Sequence, residues 1–163
     1  MLQIKTVEPN TLAVLKQLMQ MPELQQFSLV GGTALALKYG HRISIDLDLF
    51  SVKDFDNSEL VAILEQHFPT FSYRSTNNPI GVLGFIGDVK VDFVKHHRFQ
   101  LIDELIIEDS IRFYSDKDIM AMKVAAIIKR AVKKDFWDIA ELLKHYSLND
   151  VLEAYHKNIQ IKD

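Results

Sequence analysis

Apolar and polar positions change period several times along the chain, and each change marks an element. Leu12, Leu15, Leu18 and Met19 recur at helical spacing and predict a helix over residues 10–21, which Asn10 can cap. Phe27 to Val30 is a short apolar run, read as a buried strand. Gly31-Gly32 breaks it, and a short helix from Thr33 to Tyr39 stops at Gly40. Ile43 to Phe50 alternates strictly and predicts a strand. Ser58 to Phe68 reads as a helix, with caps available at Asp56 to Ser58. Strands are expected at 70–75, 80–86 and 89–95, the last two joined by a tight turn at Gly87-Asp88. Residues 105–114 read as one or two short strands.

From Ser115 the pattern turns helical. Ser115 and Asp118 have capping-box spacing at the start of a helix from Asp116 to about Lys133. Helices from Asp135 to His145 and from Asn149 to about Lys157 follow. Mixed elements first and helices last predict an α+β fold. A mixed sheet flanked by helices would occupy residues 1–114, and a C-terminal helical subdomain, 115–163, would pack on it as one compact unit.

The 163 residues suffice for one domain with a core of its own, and the balance of 48% hydrophobic to 25% charged is that of a globular protein. A net charge of −3 means that any basic site must be local. Without cysteine there is no disulfide, thiolate metal site or cysteine nucleophile, which fits a reducing cytoplasm. Met1 to Lys5 lacks the pattern of a signal peptide, and no apolar run is long enough to span a bilayer, so no membrane partner is expected.

Candidate chemistry centres on the alternating strand. Alternate side chains of a strand share a face, so Ile43, Ile45, Leu47 and Leu49 would face the core, and Arg42, Ser44, Asp46 and Asp48 the other side. The two carboxylates would stand about 7 Å apart at Cβ. They repel each other, and a divalent cation with a taste for oxygen ligands reverses that sign. A bare Asp-x-Asp is more often a pair of solvated acids. Here a second amphipathic strand, Val89 to Val94, carries Asp92 in its middle. Aspartate disfavours strand interiors, and a shared metal site of Asp46, Asp48 and Asp92 supplies a reason for all three.

The glycine pair lies between a strand and a helix start, where backbone N–H groups can approach a phosphate. It is neither a Walker motif nor a dinucleotide fingerprint, and alone it is more often merely a turn. Its place matters, one short helix before the Asp-x-Asp strand. The run Val30-Gly31-Gly32-Thr33-Ala34-Leu35-Ala36-Leu37, followed by Gly40-His41-Arg42-Ile43-Ser44-Ile45-Asp46-Leu47-Asp48-Leu49-Phe50, resembles the signature of the AbiEii/AbiGii toxin family of the nucleotidyltransferase superfamily. Val91-Asp92-Phe93 matches the strand that supplies the family's third carboxylate. Asp118 to Lys123 matches its lysine-bearing helix, and Lys134-Asp135-Phe136-Trp137-Asp138 its Arg/Lys-Asp-x-x-Asp element.

The resemblance implies a transferase that moves a nucleoside monophosphate from an NTP to an acceptor and releases pyrophosphate. Asp46, Asp48 and Asp92 would hold Mg²⁺ or Mn²⁺, and Lys123 would neutralise the leaving pyrophosphate. Gly31, Gly32 and Thr33 would seat the phosphates, with Arg42, Ser44, Arg130 and Lys134 as further nucleotide contacts. The family implies an RNA acceptor such as a tRNA 3′ end, a toxin–antitoxin or phage-defence setting, and a cognate antitoxin. Two other readings keep the fold: a non-catalytic nucleotide- or RNA-binding module, and a transferase acting on a small molecule.

Residues 117–134 hold Lys117, Lys123, Lys129, Arg130, Lys133 and Lys134 against Asp118 alone. On one continuous helix Lys123, Arg130 and Lys134 fall within about 40° of one another. This is either a solvated basic face or a charge clamp for phosphates. Asp135 and Asp138 at i, i+3 would orient Lys123 or Lys134, position an acceptor, or begin a helix. Trp137 reads as core more readily than as a stacking platform, and His96-His97-Arg98 as a loop touching substrate.

Overall fold

Pro9 has the fixed φ suited to a first helical position, and the Glu8 carboxylate before it accepts the N–H groups of Asn10 at 3.1 Å and Thr11 at 2.9 Å. Helix α1, Pro9–Gln20, is therefore capped by Glu8 and not by Asn10, and it buries the stripe Leu15, Leu18 and Met19. The computed structural model describes residues 1–97 and 99–160, the last two as backbone only. Among these follow β1 (Ser28–Val30), α2 (Gly31–Tyr39), β2 (Leu47–Ser51), α3 (Asn57–His67), β3 (Phe71–Tyr73), β4 (Gly81–Ile86) and β5 (Val89–Lys95). Then come β6 (Ile106–Glu108), β7 (Ile111–Phe113), α4 (Asp116–Arg130), α5 (Lys133–Leu142) and α6 (Leu148–Gln160). No helix among the described residues is long and apolar enough to cross a membrane.

The strands form one mixed sheet in the order β3-β4-β5-β2-β1-β7-β6, and the fold is α+β. Strand β2 runs parallel to β5 and antiparallel to β1, so the Asp-bearing strand is central. Leu29, Leu47, Leu49, Val91, Phe93 and Phe113 from the middle strands are fully buried. Each such side chain contributes about 1.5–3 kcal/mol relative to exposure. Phe27 meets the ring of Phe93 edge-on at 5.3 Å. At the far side of the sheet the Arg112 guanidinium donates to the carbonyls of Phe27, Met19 and Leu24, tying β7 to the turn after α1.

The alternating run does not pair as one strand. Only from Leu47 onward is it in the sheet. Before that, Ser44 makes a single bridge to Val7. The expectation that Ile43 and Ile45 face the core is overturned: they are 64% and 59% exposed, whereas Ser44 between them is buried. The reason is a local anchor. The Thr33 and Ser44 hydroxyls hydrogen-bond at 2.6 Å, the Thr33 hydroxyl also donates to the Asp46 carbonyl, and the Ser44 N–H donates to Thr6. These bonds turn the small polar residue inward and its apolar neighbours outward.

Helix α4 begins at the Ser115 cap, whose hydroxyl accepts the Asp118 N–H. The Asp118 carboxylate in turn accepts the Ser115 hydroxyl and the N–H groups of Ile102 and Asp103. It ends at Ala131, which adopts the left-handed conformation with φ 49°. The basic run 117–134 is therefore split between two helices and not displayed on one. Asp116, at the start of α4, accepts hydrogen bonds from Lys38, Tyr39 and Tyr146. That joins the end of α2 to the segment before α6.

Candidate active site

Strand β1 delivers Val30 opposite Asp48 of β2, and the chain then turns at Gly31 with φ +73°. A Cβ on Gly31 would lie 2.7 Å from Asp48 Oδ2, and one on Gly32 would lie 1.8 Å from Arg42 Nη2. Both glycines are thus required by close approach. Val30 offers no side-chain cap to α2, so the N–H groups of its first turn have no partner from within the helix. Thr33 is buried and its hydroxyl is spent on Ser44 and Asp46, so only its backbone remains for a ligand.

Asp48 and Asp92 are partners in register on adjacent parallel strands and share a side of the sheet. Burial pushes the proton affinity of Asp48 up, and the neighbouring Asp92 charge adds to it. Burial likewise raises Asp92, although Lys90 opposes it with its Nζ 3.5 Å from Oδ2. The other oxygen of Asp92, Oδ1, is buried and has no hydrogen-bond partner. Asp46 precedes the strand and is more open, with a carboxylate oxygen 4.0 Å from Lys134 Nζ.

Two clefts meet at Asp48. One, of about 330 Å³, is lined by Gly32, Thr33, Arg42, Ile43, Ser44, Ile45, Asp46 and Trp137. The other, of about 430 Å³, is lined by Val30, Gly31, Phe50, Ile119, Met122, Ala126 and Lys129. Asp48, Lys123 and Arg130 line both, Lys134 lines the first, and Asp92 lines neither. Among the described residues no three His, Asp or Glu side chains already form a metal cage. The fit to a divalent cation rests instead on the partnerless Asp92 oxygen and on two carboxylates that burial and neighbouring carboxylate charge make costly to ionise. A cation relieves both conditions.

Lys123 is not on an open basic face. It is 6% exposed, with Nζ 3.0 Å from Asp135 and 2.7 Å from Asp138, both fully buried. Arg130 clamps Asp135 through two bonds of 2.9 and 3.0 Å. Arg42 clamps Asp138 through two of 2.7 and 2.9 Å, and His41 Nε2 lies 2.6 Å from the same carboxylate. Burial disfavours the ionised form of Asp138, but the hydrogen bonds from Arg42 and His41 and the Lys123 charge outweigh it and hold the carboxyl well below the usual range. Asp135 is held low in the same way, burial being overcome by Arg130 and Lys123. Arg42 is therefore already committed to a carboxylate. His41 is the network member that sequence reasoning missed, and the signal available was its place beside Arg42.

Two further residues depart from expectation. Trp137 is 51% exposed on the rim of the first cleft and does not enter the core. His96 is buried, near the Tyr114 hydroxyl at 3.1 Å and stacked on Phe99, which makes it a packing residue; Arg98 lies outside the described residues.

Residues 13–160 match the model of a family described as nucleotidyl transferase AbiEii toxin, type IV TA system. A protein of Aquifex aeolicus (strain VF5), known as uncharacterized protein aq_aa25, is 31% identical over 143 residues, covering 82% of this chain and 68% of its own. The fold is similar to the solution structure of the antibiotic-resistance factor ANT(2'')-Ia, with TM-score 0.66 and 15% identity over 90% of each chain. It is also similar to the crystal structure of JHP933 from Helicobacter pylori, with TM-score 0.62 and 21% identity over 91% of this chain and 73% of that one. The chain belongs to the AbiEii nucleotidyl transferase toxin family and is a nucleotidyltransferase.

Proposed function

We propose that the chain moves a nucleoside monophosphate from an NTP to a hydroxyl of RNA, such as a tRNA 3′ end, in a toxin–antitoxin setting with a cognate antitoxin as partner. The observation that carries this reading is the Asp48–Asp92 pair, in register on parallel strands beside a glycine turn that admits no side chain, with one Asp92 oxygen buried and partnerless. Asp46, Asp48 and Asp92 hold Mg²⁺ or Mn²⁺, which when bound neutralises charge on the phosphates and favours displacement at phosphorus.

This chain's own residues bind and orient. Gly31, Gly32 and the Thr33 backbone bring the first N–H groups of α2 to a phosphate. Arg130 and Lys134, half-exposed on the rim, meet the triphosphate, and Lys123 fixes the carboxylates that hold Arg130 and Arg42 in place. The acceptor oxygen forms a bond to the α-phosphorus as the bond from that phosphorus to the oxygen bridging toward the β-phosphate breaks. Pyrophosphate takes the leaving electron pair, and the acceptor proton passes to the Asp92 carboxylate.

A small-molecule acceptor is the second reading, favoured by the likeness to ANT(2'')-Ia over 90% of both chains. The experiment is incubation with each labelled NTP, Mg²⁺ or Mn²⁺, and either total cellular RNA or a small-molecule extract. Label in RNA, lost in Asp48→Asn, supports the first reading. Label confined to the extract supports the second, and NTP binding without transfer to either overturns both.

A further inference from the structure

Trp137 is the chain's single tryptophan, and it stands half-exposed on α5 at the mouth of the Asp46–Asp48 cleft. Ile43 and Ile45 line the same cleft and are more exposed still. Three large apolar side chains gathered at the entrance of a polar cleft form a surface that a partner would cover with gain. The rim around them is cationic. Lys133 Nζ stands over one face of the indole, 5.1 Å from its centroid, Lys134 Nζ reaches to 4.0 Å from Asp46, and the Arg130 guanidinium lines the cleft. A half-exposed indole with a lysine over one face and further cations in the cleft beside it suits a planar group that carries phosphate.

We infer that Trp137, flanked by Ile43 and Ile45, is the platform on which the terminal base of a single-stranded polynucleotide acceptor stacks, with Lys133 on the phosphates of the preceding nucleotides. The inference deepens the transferase reading and rests on it for its sense, because a base stacked there lies in the same cleft as Asp46 and Asp48. Stacking reads the π face and not the base edge, so the platform selects for a frayed, single-stranded end and tolerates several bases. Trp137 is on this account a positioning residue for the acceptor, separate from the residues that hold the donor phosphates.

The single tryptophan makes the test direct. The full chain is titrated in EDTA with a short single-stranded oligoribonucleotide, and with the same oligonucleotide lacking its 3′-terminal base. Indole fluorescence and the anisotropy of an end-labelled copy are both followed. The intact oligonucleotide should quench the indole saturably, and the abasic one should bind about tenfold more weakly. Trp137→Ala should lose about tenfold in affinity for the intact oligonucleotide while melting like the parent, and Trp137→Phe should keep most of it. Binding by anisotropy without quenching, unchanged affinity in Trp137→Ala, quenching by an NTP but not by the oligonucleotide, or no binding at all would each overturn the platform. Because metal is absent from this assay, failure of transfer to RNA leaves the binding result standing. Transfer with an unchanged acceptor KM in Trp137→Ala would overturn the platform and leave the transferase reading intact.

Discussion

The Lys123 ammonium lies 2.7 Å from a carboxylate oxygen of Asp138, and both side chains are buried. The contact closes a chain of ion pairs that runs from Arg42 through Asp138, Lys123 and Asp135 to Arg130. It couples the segment before β2 to α4 and α5, so the two sides of the cleft share one set of charges.

Removal of that lysine should therefore be a stability event as well as a functional one. Each carboxylate keeps an arginine, but the space between them loses its cation. Lys123→Ala is expected to cost about 3 kcal/mol. The measurement is urea unfolding, with the midpoint shifted and the slope unchanged. A loss under about 0.5 kcal/mol, the usual size for an exposed site, would show that the buried pairs carry no net stability.

What could be read along the chain was local. Helix stripes, the β4–β5 hairpin and the glycine turn each declare themselves within a few residues, and they set the element order. The ion network joins Arg42 to Asp138 across 96 positions, and no local pattern encodes that pairing. Alternation from Ile43 to Phe50 misled for a related reason. Period two reports extended backbone, but which face is covered depends on what pairs with it. Residues 43–46 have a single bridge in place of a sheet, and a hydroxyl pair at Thr33 and Ser44 set their orientation. Asp48 and Asp92 were legible as acids in strands, yet their adjacency follows only from the β2–β5 pairing.

The two halves of the alternating run should thus respond differently to the same change. Leu47 is fully buried in the sheet, and Leu47→Ala should cost about 2–5 kcal/mol. Ile43→Ala and Ile45→Ala should each stay within about 0.5 kcal/mol of the parent. Thermal and urea unfolding of the three variants decide the matter. Comparable losses at all three positions would restore a continuous strand with one buried face.

Opposed carboxylates predict a pH signature. Asp135 and Asp138 are held below the ordinary carboxylate value, so the stability they contribute is complete above about pH 4 and is lost as pH falls through the folded-state values. Asp48 is raised, so its contribution is present below about pH 4 and is lost as pH rises through the raised value. Asp48→Asn in EDTA should therefore stabilise the protein at neutral pH by up to about 1 kcal/mol, or roughly 3 °C, and the gain should vanish near pH 3. Mg²⁺ with NTP should raise the melting temperature of the parent and not of the variant. A gain that is the same at both pH values would show that Asp48 is not ionised uphill in the folded state.

Gly31 and Gly32 are adjacent, but a methyl group at each meets a different obstacle. At Gly31 the backbone φ of +73° is left-handed, which costs an alanine about 1–2 kcal/mol before any clash. The new Cβ would also press on Asp48 Oδ2, the carboxylate proposed to hold the cation. At Gly32 the obstacle is the end of a flexible side chain, Arg42 Nη2, which could ordinarily move aside. Arg42 is not free to do so without loss, because two hydrogen bonds hold it on Asp138. Gly32→Ala should therefore displace the guanidinium and destabilise the fold by about 1–3 kcal/mol, the range for a buried polar group left short of its partner. Combining it with Arg42→Ala separates the effects. If the methyl group acts by pushing Arg42 off Asp138, the double variant should be no less stable than Arg42→Ala alone, since the obstacle and the bond it breaks are both gone. Additive losses in that cycle, read from urea midpoints, would mean that Gly32 is required for a reason other than the approach of Arg42.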